Sequence, residues 1–256
     1  MDVSIIIINY NTFDLTLNCV KSIHDHTESL EYEVIVVDND SKDRPIDDLL
    51  SFYPGIRLVK NSKNLGFSAA NNVGLSVSKG RYILLLNSDT QLCNNAIYSA
   101  IQKIEKKSQL AVSTVKVVYP DNRLQHVCGK FPSILGNLLL LFRMDKFLSK
   151  KQKENMFLGN YFDHQRARTV DWVWGTFFLI KRSVIDASFP AGKLHDNFFM
   201  YVEDIQWCYH VKKSGYEIIY DPEGKIIHYM GGSDASGQSL QAKYFKTILP
   251  NLYEFL

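Results

Sequence analysis

The sequence has too little excess charge of either sign to define a partner by electrostatics. Its formal net charge is +2 over 256 residues, so no basic field draws it to nucleic acid. Cysteine is scarce, and Cys19, Cys93, Cys128 and Cys208 stand far apart with no CxxC pair. That spacing argues against a zinc site or a disulfide framework and suits a reducing compartment. No apolar run approaches the ~18 residues of a spanning helix. The chain enters an isoleucine run directly after Met1-Asp2, without the basic stretch and cleavage site of a secretory leader. GxGxxG and GxxxxGK[ST] loops are missing, which weighs against nicotinamide, flavin and P-loop sites. Repeats and low-complexity tracts are missing too. The expectation is a cytoplasmic protein, soluble or peripheral at the inner face of the membrane.

What is present is a globular composition, 46% hydrophobic and 22% charged, long enough to bury a core without staples. The first half alternates two periods. Residues 3–8, 33–37, 56–60 and 82–86 read as strands, the first and last apolar enough to be buried on both faces. Residues 12–23 and 67–77 read as helices, the first capped by Asn11 or Thr12, the second with Ala69, Ala70 and Gly74 on one side. Strands separated by helices predict βαβ units and a mostly parallel sheet. The second half is less regular. Strands are expected at 111–118, 173–180, 217–220 and 225–229, a helix at 203–213 stopped by Gly215, and an amphipathic helix at 239–256 interrupted by Pro250.

In an open α/β sheet, ligands bind beyond the carboxyl ends of the strands. Asn9, Asn11, Asp38 and Asn87-Ser88-Asp89 fall there. Singly, each is as well explained as a turn residue; together they favour a ligand edge. Asp38 has the place of an acid that accepts from a ribose hydroxyl or a base N–H. Asp89 follows a buried strand, where a carboxylate can hold Mg²⁺ or Mn²⁺ beside a diphosphate. One carboxylate is a weak site, and His228 is the candidate second ligand, better suited to Mn²⁺ than to Mg²⁺; the alternative is a strand-end histidine bonded to backbone. Glu203-Asp204 lies between the aromatic run 198–201 and a helix. It reads either as helix-start acids favouring the dipole or as a carboxylate against an apolar wall, raised in pKa for general-base work.

Residues 131–155 combine the apolar run 138–142 with Arg143, Lys146, Lys150, Lys151 and Lys153. Two readings stay open. One is a helix that packs 138–141 into the core and leaves a solvated basic end. The other is a basic, apolar surface element on an anionic membrane. The other six histidines, among them His126, His164 and His195, show no ligand spacing.

Six stretches carry a resemblance when taken in order: SIIIINYN (4–11), VIVVDNDS (34–41), NLGFSAANNVG (64–74), YILLLNSDT (82–90), WVWGTFFLI (172–180) and FFMYVED (198–204). The chain resembles an inverting family 2 glycosyltransferase of the GT-A fold, close to the bacterial rhamnosyltransferases of polysaccharide assembly. The resemblance implies one GT-A domain over 1–256, a Rossmann-like α/β sheet flanked by helices. Its parts are a nucleotide-sugar half at 1–110, an acceptor and catalytic half at 111–235, and a C-terminal helix at 236–256. It implies that Asn9, Asn11 and Asp38 hold base and ribose, and that Asn64, Gly66 and Asn71 shape the floor beneath the nucleotide sugar. Asn87, Ser88 and Asp89 stand at the DxD position, with Asp89 and His228 as ligands of Mn²⁺ or Mg²⁺. Asp204 matches the general base, with Glu203, Trp174 and Gly175 on the acceptor side. The implied partners are a dTDP- or UDP-sugar donor and a glycan or polyprenyl-diphosphate-linked acceptor, with a peripheral membrane contact. The chain departs from the pattern at Asn87, where an Asp is usual, at Gln206, where another acid is usual, and at His210, where an Arg is often found. A sugar nucleotidyltransferase and a nucleotide-sugar-binding subunit without turnover are the alternatives.

Overall fold

The computed structural model describes residues 1–131 and 133–229. In chain order the elements are β1 (Val3–Asn9), α1 (Phe13–His26), β2 (Tyr32–Asp38), α2 (Leu49–Phe52), β3 (Arg57–Lys60), α3 (Phe67–Val77), β4 (Tyr82–Asn87), β5 (Thr90–Leu92) and α4 (Ala96–Glu105). Then follow β6 (Leu110–Val118), β7 (Cys128–Gly129), α5 (Ile134–Leu141), α6 (Lys150–Phe157), β8 (Arg168–Val170), β9 (Trp172–Val173), β10 (Phe177–Lys181), α7 (Arg182–Ser188), α8 (Glu203–Lys213) and β11 (Glu217–His228). The main sheet runs β3-β2-β1-β4-β10-β6-β11-β5, with β8 beside β11, and β7 pairs with β9 as a separate ribbon.

The first four strands are parallel, as the βαβ pattern requires. Beyond β4 the sheet becomes mixed. β10 lies antiparallel between β4 and β6, β6 and β11 are parallel, and β5 and β8 pair antiparallel with β11. Successive side chains of a strand point to opposite faces, and the continuous apolar strands feed two cores. Ile5 and Ile7 pack with Phe13, Val20 and Ile23 of α1 and Ile97 and Ile101 of α4. Ile6 packs with Ala70 of α3, Ile185 of α7 and Trp207 of α8. At Gly74 a Cβ would stand 2.5 Å from Ile6 Cγ2, so glycine lets α3 sit close on the sheet.

Several boundaries differ from expectation. The helix expected at 12–23 runs on to His26, and no side chain of Thr12 caps it. Asp43 does so instead, its Oδ2 accepting from Phe13 N at 3.0 Å. The strand expected at 173–180 is broken at 174–176, because the Gly175 amide leaves the sheet to bond Asp204. The two short strands expected at 217–220 and 225–229 are one, β11, with a register shift between Asp221 and Lys225. Residues 131–155 do not form one helix. α5 and α6 are separated by a short 3-10 turn, and Leu138, Leu140 and Leu141 are exposed rather than packed in the core. α2, β5, α4, β7, β8 and α7 have no counterpart among the expected elements. The terminal helix expected at 239–256 lies outside the described residues.

Candidate active site

Register brings three strand ends to one edge. Asn9 of β1 stands opposite Asp38 of β2, and Ile8 opposite Asn87 of β4. Asn9 is fully buried and spends its whole amide internally. Nδ2 donates to Asp38 Oδ1 at 2.9 Å and to Ser41 Oγ at 2.8 Å. Oδ1 accepts from the hydroxyls of Thr12 and Thr16 at 3.1 and 2.7 Å. Asn9 therefore sets the position of Asp38. Asn11, at φ 54°, anchors the following loop: its amide N donates to Ser41 Oγ at 3.0 Å and its Oδ1 accepts from Lys42 N at 2.7 Å. Beside this edge opens a cleft of about 360 Å³ lined by Asp38, Lys42, Arg44 and Lys60 among others.

Asn39 was not singled out in the sequence, and it organises the floor. It is 2% exposed. Its Nδ2 donates to Asn64 Oδ1 at 2.7 Å and to Gly66 O at 3.3 Å, while its Oδ1 accepts from Asn61 Nδ2 and Leu65 N, both at 3.0 Å. Asn64 Oδ1 also accepts from Gly66 N at 2.9 Å. Gly66 lies at φ +81°, and a Cβ there would meet Phe199 O at 2.3 Å; only glycine fits both the backbone and the contact. Asn71 donates to Phe67 O at 2.9 Å, and its buried Oδ1 has no partner among the described residues.

Asn87 ends β4 half-buried, its N donating to Thr176 O at 3.2 Å. The Ser88 hydroxyl lies 3.1 Å from that of Thr12. Asp89 is 2% exposed, and its Oδ1 stands 3.3 Å from His228 Nε2 without accepting a hydrogen bond from any described residue. Gln125 orients His228. Its Nε2 donates to the His228 carbonyl at 2.8 Å, which turns Oε1 toward His228 Nδ1, also at 2.8 Å. An amide oxygen only accepts, so Nδ1 donates to Gln125 and Nε2 is the ring atom that faces Asp89 Oδ1. A buried carboxylate oxygen beside an imidazole nitrogen is a donor set that fits a shared cation. Among the described residues no cluster of three or more His, Cys, Asp or Glu forms a metal cage. The pair could supply two ligands to a divalent cation.

Asp204 is held by two amides. Gly175 N donates to Oδ2 at 2.9 Å and Ile205 N to Oδ1 at 2.8 Å. Burial nevertheless pushes its carboxyl up to about 6, against the lowering effect of those bonds. Glu203 is 5% exposed, with Oε2 unpartnered among the described residues. Burial first, and then the Asp204 charge, raise its carboxyl well above the usual range. Tyr201 and Val202 precede them at φ 71° and 77°, a conformation rare for a β-branched residue that is found where a site dictates the backbone. Phe199 O, accepting from Phe67 N at 2.8 Å, pins that segment to α3. Trp174 N donates to Val127 O at 2.9 Å.

The structure thus brings Asp89 to His228, Asp38 to Asn9, and Asn64 to Gly66. Gly175 and Thr176, adjacent in the chain, link the Asp204 carboxylate to the end of β4. Sequence reasoning missed Asn39 and Gln125. The first lay inside a quoted motif; the second had no local signal.

A family model for glycosyl transferase family 2 matches residues 4–189. The protein y4gI of Sinorhizobium fredii is 25% identical over 90% of this chain, which spans only 25% of that protein. The rhamnosyltransferase WbbL of Escherichia coli is 26% identical over 99% of this chain and 92% of its own. An N-acetylglucosaminyl-diphospho-decaprenol L-rhamnosyltransferase of Mycobacterium tuberculosis is 22% identical over 78% of this chain and 67% of its own. Among solved structures, GalNAc-T7 with UDP, GalNAc and Mn²⁺ superposes with a TM-score of 0.64 at 14% identity, over 95% of this chain and 47% of its own. A Pyrobaculum calidifontis mannosyltransferase with GDP-Man and Mn²⁺ superposes at 0.60 with 16% identity, over 92% of this chain and 58% of its own. At these identities the structures speak for the fold.

Proposed function

The chain belongs to glycosyl transferase family 2, with the GT-A fold of its structural neighbours, and from that premise we propose an inverting, metal-dependent transfer. The sugar moves from a nucleoside diphosphate donor to a hydroxyl of a glycan or polyprenyl-diphosphate-linked acceptor in surface polysaccharide assembly. Rhamnose from a dTDP-linked donor is the sugar favoured by the named relatives, with a UDP-sugar as the alternative donor. The family assignment sets aside the nucleotidyltransferase reading.

The observation that carries the reading is the short tether between base and strand end. Gly175 N holds Asp204 Oδ2 at 2.9 Å, and Thr176 O receives Asn87 N at 3.2 Å. A carboxylate raised to about 6 is ionised at neutral pH and still basic enough to take a proton from an attacking hydroxyl. Asp38, which Asn9 holds by a hydrogen bond, accepts from the nucleoside in this reading. The floor clamped by Asn39 supports the sugar. The acceptor oxygen bonds to the anomeric carbon from the face opposite the diphosphate. The bond from that carbon to the phosphate oxygen breaks, and the proton passes to Asp204. One displacement needs one base and no enzyme nucleophile, so configuration inverts. Asp89 and His228 are the residues that would hold Mn²⁺ or Mg²⁺, which when bound supplies positive charge to the departing diphosphate.

The test is donor binding followed by turnover. Thermal unfolding is followed with UDP, dTDP, GDP and CMP, each with and without Mn²⁺, since a ligand of the folded state raises the midpoint. The expected result is a metal-dependent rise with dTDP or UDP that Asp89→Asn removes. A rise of equal size in Asp89→Asn would sink the metal assignment. Retained turnover in a folded Asp204→Asn variant would sink the base.

A further inference from the structure

We propose that the face formed by α5, the turn after it and α6 docks the protein onto an anionic lipid surface. Leu135, Leu138 and Leu141 recur on the side of α5 away from Gly136, which is buried close to Phe157, and Phe142 follows at the end of the helix. They are 62%, 46%, 73% and 66% exposed, and Phe147 in the following turn is 88% exposed. Singly exposed apolar residues are ordinary; a contiguous set marks a contact surface. Arg143, Lys146, Lys150 and Lys151 stand exposed in the same stretch, and none forms an ion pair among the described residues. Lys153 is the neighbour that does, with Asp145 at 3.7 Å.

The charge decides the occupant. Lysine is depleted from the cores of protein interfaces, whereas apolar side chains interleaved with unpaired cations match acyl chains below anionic headgroups. Among the described residues no helix is long and apolar enough to cross a membrane, so the element would lie in the interface. The inner side of the foot is fixed by polar bonds: buried Glu154 pairs with Arg166, and with Arg168 at 2.7 Å.

The foot is fastened to the base. Asp171 Oδ1 takes Lys130 Nζ at 3.2 Å and Lys212 Nζ at 2.7 Å, and its Oδ2 accepts from Phe131 N at 3.1 Å. Lys212 belongs to α8, the helix that carries Asp204, and the β7–β9 ribbon at the root of the foot leads into Gly175. Docking would therefore set the height of Asp204 above the lipid surface, where the hydroxyl of a lipid-linked acceptor arrives. That consequence rests on the transferase reading; the contact itself does not.

The test is co-sedimentation of the full chain with phosphatidylcholine vesicles, with and without phosphatidylglycerol. No donor is added, so failure of the transferase reading leaves the result standing. The expected result is binding that requires phosphatidylglycerol and weakens with salt. Partition should fall about fivefold for each of Arg143, Lys146, Lys150 and Lys151 replaced by Gln. Phe142→Glu with Phe147→Glu should abolish binding, leaving the thermal midpoint and turnover on a water-soluble acceptor unchanged. No binding, or equal binding to both vesicle types, overturns the proposal. So does loss of self-association in the Phe142→Glu, Phe147→Glu variant by sedimentation equilibrium, which would assign the face to a second copy of the chain.

Discussion

Gln125 and His228 exchange two hydrogen bonds, each 2.8 Å long, so that one side chain fixes both the ring and the backbone of the other. The pair acts as a register pin between the 119–127 loop and the end of β11, and it turns Nε2 toward Asp89. Partners behind a ligand histidine typically change metal affinity by about 10–100-fold. Gln125→Met should therefore weaken Mn²⁺ binding, measured by electron paramagnetic resonance in the presence of UDP, by about that factor. Imidazole ¹⁵N shifts should show His228 sampling both tautomers in the variant and one in the parent. Unchanged Mn²⁺ affinity would mean the pair is a structural pin alone.

Asn39→Ala removes four hydrogen bonds of the floor at once, those to Asn64 Oδ1, Gly66 O, Asn61 Nδ2 and Leu65 N. Each buried partner left unsatisfied costs about 1–3 kcal/mol, less where water reaches it. A loss of about 2–4 kcal/mol in urea unfolding is expected, together with a rise in KM for the donor. A variant that loses stability and keeps the donor KM would show that the clamp supports the fold and leaves the sugar floor unaffected.

Glu203 has the sign of a group that destabilises the fold when ionised. Its folded-state pKa is raised by burial and by Asp204, so the folded state binds the proton more tightly than the unfolded one. Its stabilising effect is complete below the unfolded value near 4.5 and is lost as pH rises through the folded value. Glu203→Gln should thus gain stability relative to the parent as pH climbs above the unfolded value near 4.5. Paired thermal midpoints across that range test it; a constant difference would place the charge elsewhere.

The parallel half of the fold was legible because its strands are continuous apolar runs and its helices keep a 3.6-residue period. α4 carries the same signal, since Ile97, Ala100, Ile101 and Ile104 share one buried side. Other features depend on distant partners. The break at Gly175 exists because Asp204, far along the chain, needs an amide donor. The exposure of Leu138 and Leu141 could not be told from core packing by their sequence, because an apolar run looks the same in either place. At the site, Asp89 and His228 were nameable because each follows an apolar strand. Gln125 sits in a loop, and only the folded chain shows what it touches.

Asp204 sets the pH dependence expected of turnover. Burial raises its carboxyl from the ordinary 3.8 to about 6, with the Gly175 and Ile205 amides opposing the rise. The base must be ionised to accept a proton, so kcat/KM should fall tenfold per pH unit below about 6 and level off above about 7. A carboxylate at its ordinary value would hold the plateau down to about pH 5. Asp204→Asn should lose about 10²–10⁴-fold in turnover, keep donor binding, and show no such limb. Glu203→Gln is the control for assignment. If the limb belongs to Asp204 it persists in that variant, because burial is the largest cause of the shift. A limb that vanishes with Glu203 would move the base one residue back along α8.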